Sequence, residues 1–323
     1  MRHLDIQVIE QALQWAQSGQ ALWLCTVLST YGSAPRAPGA MLVANAQGQF
    51  VGSLSGGCVE DEFRDSLARG ELLEAAQIVR YGENAEQSRR LQLPCGGMLI
   101  VLVEHRPATT AWIDHLRQMQ ATLLGQHQQV RHIDLTTGLT QLEPGTHQSG
   151  ERVSLSDEQV RIRVGPALRL ILAGLSPVAE FCASFGRAIG CEVIACDPRE
   201  EMLHVQLEGV EMQRVLPSMF IAAGGCHSAT AVVALTHDPK IDDLALMEAV
   251  HTSAFYIGAM GSKATSAKRA ERLKRIGGLD DSQIARLHMP IGLNLGSKSP
   301  AEIALAVMAD VLRVYHGKPR NAL

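Results

Sequence analysis

Leu168-Arg169-Leu170-Ile171-Leu172-Ala173-Gly174-Leu175-Ser176-Pro177-Val178-Ala179 decides the fold of this chain. An apolar strand stops at a glycine and enters a helix that spans 177 to 189. A second strand, Glu192 to Cys196, follows and ends in Asp197-Pro198-Arg199. The rhythm repeats: strand 231–235, helix 242–250, strand 254–257, helix 263–276. Strands alternating with helices imply a parallel, doubly wound sheet. Ser299-Pro300-Ala301-Glu302 joins a capping box to a proline at the first helical position, so a last helix runs to about Tyr315. The register of Gly174-Leu175-Ser176-Pro177-Val178-Ala179 is that of the dinucleotide fingerprint, and Asp197 stands where that motif places its ribose-binding acid. Ser176 replaces the middle glycine, and Pro177 removes one N–H from the helix start.

Working outward, the first half is less regular. A helix is expected over 5–18, because Ile6, Ile9, Leu13 and Ala16 share one face. Strands are expected at 21–29, 41–44, 49–54, 77–81 and 98–103, and a helix over 109–124. From Gly125 to about Pro166, polar residues, glycine and threonine dominate. That stretch reads as short strands and a connecting region between an N-terminal domain (1–125) and a C-terminal one (167–323).

With 323 residues, 46% of them hydrophobic, there is material for two domains with cores. Aromatic residues make up only 4% and aliphatics abound, which suits an α/β architecture. The net charge of −4 gives no field for nucleic acid. No apolar run reaches the ~18 residues of a membrane span, and the N-terminus has no apolar signal core. The expectation is a cytoplasmic protein that contacts neither nucleic acid nor membrane. The seven cysteines are odd in number and contain no Cys-x-x-Cys pair. They form neither a disulfide framework nor a Cys-rich zinc site, which fits a reducing compartment.

One turn in the first half combines three chemical features. In Gly52-Ser53-Leu54-Ser55-Gly56-Gly57-Cys58-Val59-Glu60, a strand runs through small residues into a helix that opens at a cysteine. Adjacent glycines admit a close ligand. Free N–H groups at a helix start favour an anion such as phosphate. A thiol at that positive end is more reactive and a better soft-metal ligand. Pro94-Cys95-Gly96-Gly97 resembles it, so one polar site built from two loops is expected, with buried small cysteines in glycine turns as the alternative.

In the second half, Thr236-His237-Asp238 ends a strand. A His beside an Asp suits a polarised base or a metal ligand, and equally a turn in which Asp238 caps the next helix. Gly258–Ser262 and Gly292–Ser297 are small-residue loops able to cradle phosphate. Cys226-His227 is a further soft pair, while Cys182, Cys191 and Cys196 fall on core positions. No Gly-x-Ser-x-Gly elbow, His-Glu-x-x-His or Walker lysine is present, so no catalytic residue is assigned.

Taken in order, Gly32 to Ala40, Ser55 to Glu60, Cys95-Gly96-Gly97, Leu170 to Ala179, Asp197-Pro198-Arg199, Thr236-His237-Asp238, Tyr256-Ile257-Gly258 with Gly261-Ser262, and Pro290-Ile291-Gly292 with Gly296 resemble the XdhC/CoxI family of xanthine dehydrogenase accessory proteins. The resemblance covers both halves. It departs at the turn, where the family shows Gly-Ala-Gly-His-Val and this chain has Gly174-Leu175-Ser176-Pro177-Val178. It implies an α+β XdhC/CoxI-type domain followed by a Rossmann-like domain. The implied function is that of a non-enzymatic chaperone which binds molybdenum cofactor, plain or in its cytosine dinucleotide form, supports its sulfuration and inserts it into a partner molybdoenzyme. The implied partners are a molybdenum hydroxylase subunit of the xanthine dehydrogenase or aldehyde oxidoreductase type, a cysteine desulfurase and a cofactor cytidylyltransferase. A homodimer is expected by association with symmetric partners. On this reading Cys58 and Cys95 contact the molybdenum–sulfur end, and Ser55, Gly56, Gly57, Gly96 and Gly97 shape the loops. Arg36 pairs with a phosphate or pterin oxygen. Gly174, Ser176, Asp197 and His237 hold the nucleotide or pterin side. Two rivals remain: an NAD(P)-dependent oxidoreductase with His237 as acid/base, and a protein-only adaptor for the molybdoenzyme.

Overall fold

The computed structural model describes residues 3–31, 36–82, 98–145 and 152–320. Cys95, Gly96 and Gly97 lie outside the described residues. The chain divides into two compact units, Leu4–Pro166 and the remainder from Ala167 onward.

The first unit opens with α1 (Leu4–Gln17), whose buried stripe includes Ile6, Ile9 and Leu13. Strands β1 (Leu22–Thr30), β2 (Met41–Asn45), β3 (Phe50–Gly52), β4 (Gln77–Tyr81) and β5 (Leu99–Arg106) form an antiparallel sheet in the order β3-β2-β1-β5-β4. Alternation splits β1 between two cores. Trp23, Cys25 and Val27 pack with Val59 and Phe63 of α2 (Cys58–Ala68). Leu28 faces the other way, with Leu102 of β5, and meets Ile133, Val160 and Ile162.

Those last three residues belong to the stretch read as a connecting region. After α3 (Thr110–Leu123), β6 (Gln129–Asp134), β7 (Thr140–Pro144), β8 (Val153–Leu155) and β9 (Gln159–Val164) form their own antiparallel sheet, ordered β7-β6-β9-β8. Its inward residues complete a core of the first unit, so it is part of that unit's architecture rather than a linker.

The second unit is the doubly wound sheet expected from the sequence. Strands β10 (Arg169–Ala173), β11 (Glu192–Cys196), β12 (Glu211–Gln213), β13 (Thr230–Ala234), β14 (Tyr256–Ala259) and β15 (Leu287–His288) are all parallel, in the order β12-β11-β10-β13-β14-β15. Helices α4 (Pro177–Ala188), α5 (Pro217–Phe220), α6 (Pro239–Ala249), α7 (Lys263–Arg275), α8 (Asp281–Ala285) and α9 (Pro300–Tyr315) surround it. Leu170 and Leu172 bury against α4 and α9, whereas Ile171 and Ala173 bury on the face of α6 and α7. Because β10 lies between β11 and β13, the strand order reverses beside it, and in such sheets ligands lie beyond the strands' carboxyl ends.

Candidate functional site

The Ser53–Cys58 turn is filled from within. The Glu60 carboxylate accepts from the N–H groups of Leu54 (2.8 Å), Ser55 (3.0 Å), Gly56 (2.9 Å) and Gly57 (3.0 Å), and from the hydroxyls of Ser53 (2.8 Å) and Ser55 (2.9 Å). The N–H groups of Leu54 to Gly57, which lead into the helix, are therefore occupied. Burial works against the Glu60 charge. The bonds from Ser55, Gly56, Ser53 and Gly57 outweigh it and lower the carboxyl to about 2. Gly57 caps α2, and Cys58 is its first residue, half-buried, with one side packed on the core of the unit. Among the described residues, a Cβ built on Gly57 would meet nothing within 4 Å. Glu60 is the residue here that sequence reasoning missed, although a Glu three residues after a helix cap is a legible capping signal. Arg36 lies 3.7 Å from Asp5, which Arg152 also approaches at 3.6 Å.

The Gly174 turn is filled in the same manner. Asp197 has no exposed surface, and its carboxylate accepts from Leu175 N–H (2.6 Å) and from Arg199 through its backbone N–H (2.9 Å), Nε (3.0 Å) and Nη2 (2.6 Å). Burial opposes the charge, but the Arg199 and Leu175 bonds hold the carboxyl below its usual range. The acid expected to receive a ribose is thus bound inside the chain. Ser176 is the N-cap of α4, accepting from Ala179 N–H at 3.2 Å. A Cβ on Gly174 would lie 2.1 Å from Thr236 Cγ2, so this glycine admits the turn that follows β13. Asp197 and the Leu175 N–H, two groups a dinucleotide would use in a Rossmann turn, are spent on each other.

His237 is placed differently. It is exposed, has a left-handed backbone (φ 66°) and stands on a cleft at the carboxyl edge of the sheet with Gly261, Ser262 and the 290–297 loop. The structure thereby brings together the two small-residue loops read from the sequence. Asp238 caps α6, as the alternative reading has it. The buried Asp242 holds the turn, accepting from Thr236 N–H (3.2 Å), Thr236 Oγ1 (2.6 Å) and His237 N–H (3.1 Å). Arg269, also buried, bonds Asp242 and Asp243 at 3.0 Å each and donates to the Met260 carbonyl at 2.9 Å. Burial pushes the Cys226 thiol up to about 11 and the His227 imidazole down to about 4. Burial also pushes Cys182, Cys191 and Cys196 up to about 12. Among the described residues no group of three or more His, Cys, Asp and Glu is arranged to hold a metal ion, and no helix is long and apolar enough to cross a membrane.

The two units each match a known family model. Residues 15–82 match the model of the XdhC and CoxI family, and residues 170–311 match that of the XdhC Rossmann domain. The chain belongs to the XdhC/CoxI family. Among its relatives is the molybdenum cofactor insertion chaperone PaoD of Escherichia coli (strain K12), 27% identical over 95% of this chain and 87% of that protein. A protein of Bacillus subtilis (strain 168) described as a probable xanthine dehydrogenase subunit is 25% identical over 90% of this chain and 92% of its own length. The fold also matches the crystal structure of a xanthine dehydrogenase from Bacillus halodurans, with a TM-score of 0.70 at 22% identity, over 100% of this chain and 98% of that one.

Proposed function

We propose that this chain is a molybdenum cofactor chaperone. It carries the cofactor as cargo, supports its sulfuration together with a cysteine desulfurase, and inserts it into a molybdoenzyme of the xanthine dehydrogenase or aldehyde oxidoreductase class in the cytoplasm. The observation that carries this reading is the similarity to PaoD, which runs through both units. The Cys58 turn supports it chemically. A half-buried thiol on a rigid, glycine-lined turn offers a soft ligand to the molybdenum–sulfur end of the cargo. Filling by Glu60 fixes the turn in advance, so little ordering cost falls on binding. The internal use of Asp197 and Leu175 N–H speaks against an NAD(P)-dependent oxidoreductase built on that turn. The plain and cytosine dinucleotide forms of the cofactor are both accommodated by this reading.

The test is the protein's content after anaerobic expression in a host that makes the cofactor. Near-stoichiometric molybdenum and oxidised pterin in the parent, with both lost in Cys58→Ala, is the expected result. Both at background in the folded parent would overturn the carrier reading and favour a protein-only adaptor.

A further inference from the structure

The cleft beside His237 is a different kind of place from the two self-filled turns. Its walls are the segments that follow β13, β14 and β15, closed by α9 and Arg320. It encloses about 650 Å³, within the range of roughly 300–1,000 Å³ usual for small-molecule sites. It also lies on the carboxyl edge of the sheet, where such folds place ligands.

Its charge is one-sided. Among the described residues that line it none is Asp or Glu, whereas Lys263, Arg320 and His237 all stand on it. Lys263 is the first residue of the thirteen-residue α7, whose first turn contains no acid. The positive end of the helix and an ammonium group therefore share one wall, an arrangement that a bound anion relieves. The lining also includes the apolar side chains of Ile291, Leu293 and Ile303. The cationic groups suit phosphate and the apolar side chains a flat ring.

The cleft is also braced. Asp242 fixes the backbone of Thr236 and His237, and Arg269 ties Asp242 to the Met260 carbonyl, so the walls after β13 and β14 are held by one buried ion pair. Arg320 is anchored to the Gly292 carbonyl at 2.9 Å. Walls fixed before binding preserve affinity that ordering would otherwise consume.

We propose that this cleft, not the Gly174 turn, is the ligand site of the Rossmann unit, and that it takes a nucleoside diphosphate or a larger molecule bearing one. The phosphates lie toward Lys263 and the start of α7, and the ring lies against Ile291 and Leu293, the segment on which Arg320 is anchored. The proposal is separate from the carrier reading and holds or falls without molybdenum.

Calorimetric titration of the full chain with ADP, GDP, CDP, UDP and inorganic pyrophosphate tests it. Heat is the suitable signal because Trp15, Trp23 and Trp112 all belong to the first unit. At least one nucleotide is expected to saturate a single site more tightly than its nucleoside. Lys263→Glu should weaken it tenfold or more, and Lys263→Ala in the same direction. Lys240→Glu makes the same charge change on α6 outside the cleft and should stay within twofold. No saturable binding by any probe overturns the proposal, as does equal weakening by Lys240→Glu and Lys263→Glu, or unchanged binding in Lys263→Glu. Pyrophosphate binding as tightly as every nucleotide overturns the ring assignment.

Discussion

The Ser53–Cys58 turn and the Gly174–Ser176 turn share one signature and have opposite surfaces. Each is a glycine-marked passage from strand to helix, and each ties backbone N–H to a carboxylate of its own chain, four groups in the first turn and Leu175 alone in the second. In the first, Glu60 comes from the helix the turn opens, and Cys58 is left half-exposed beside it. In the second, Asp197 comes from the end of the neighbouring strand, and Ser176 and Pro177 leave no reactive group. Glycine spacing at a helix start therefore reports that backbone N–H groups converge. It does not report whether a ligand or the chain's own acid receives them.

The glycines themselves separate the two turns most strongly. Gly174→Ala adds a left-handed penalty and drives its Cβ to 2.1 Å from Thr236 Cγ2. A loss of about 4 kcal/mol is expected. Gly56 is also left-handed (φ 82°), but its Cβ would meet only Ser53 Oγ, at 4.0 Å. Gly56→Ala should cost about 1 kcal/mol. Urea unfolding of both variants measures the contrast, and equal costs would mean that the Gly174 turn is as open as the first.

Removing the two carboxylates comes next. Asp197→Ala leaves Leu175 N–H and Arg199 without their partner. Arg199 is only 26% exposed, so a loss of about 3 kcal/mol is expected, at the low end for a broken buried pair. Glu60→Gln should cost about 2 kcal/mol, because a neutral amide cannot accept all six bonds. The Glu60 cost depends on pH. Its carboxyl titrates near 4.5 when unfolded and near 2 when folded. Its contribution is complete above about 4.5 and fades as pH falls toward 2. The parent and Glu60→Gln stability curves should therefore converge on acidification. A gap that stays constant down to pH 2 would remove the charge from the account of the turn.

The fold was more legible than the site. Uninterrupted apolar strands such as Leu170–Ala173, with helices between them, announce a parallel sheet because strands covered on both faces need no alternation. The 126–166 stretch hid its sheet because its inward apolar residues (Ile133, Val153, Val160, Ile162 and Val164) are scattered among polar ones, and because one inward residue is Arg131, buried against Glu104 and His115. Cys58 and His237 were visible as residues in turns. The occupancy of those turns was not, since it depends on which carboxylate reaches which N–H. The Arg269–Asp242 pair spans 27 residues, and the cleft draws its walls from segments between His237 and Arg320. No local pattern reports such meetings. Asp197 stood at the expected position and its carboxylate was already bound.

The smallest structural change probes the feature that only the first turn possesses. Cys58→Ala removes one sulfur from a half-buried position and leaves the Glu60 bonds in place, because none of them involves the Cys58 side chain. Stability should fall by less than about 1 kcal/mol, the scale of one buried methylene-sized group. Cargo should respond on a different scale, with molybdenum and pterin falling to background in a protein that unfolds at nearly the parent urea concentration. Cys182→Ala provides the opposite pattern: that thiol is fully buried in the Rossmann core, so stability should drop further while cargo is retained. If Cys58→Ala keeps its molybdenum, the two turns differ in shape alone and the thiol is a packing residue. If it loses the metal at full stability, the turn's rigidity serves to present the sulfur, and the self-filled nest is the scaffold of the site rather than the site itself.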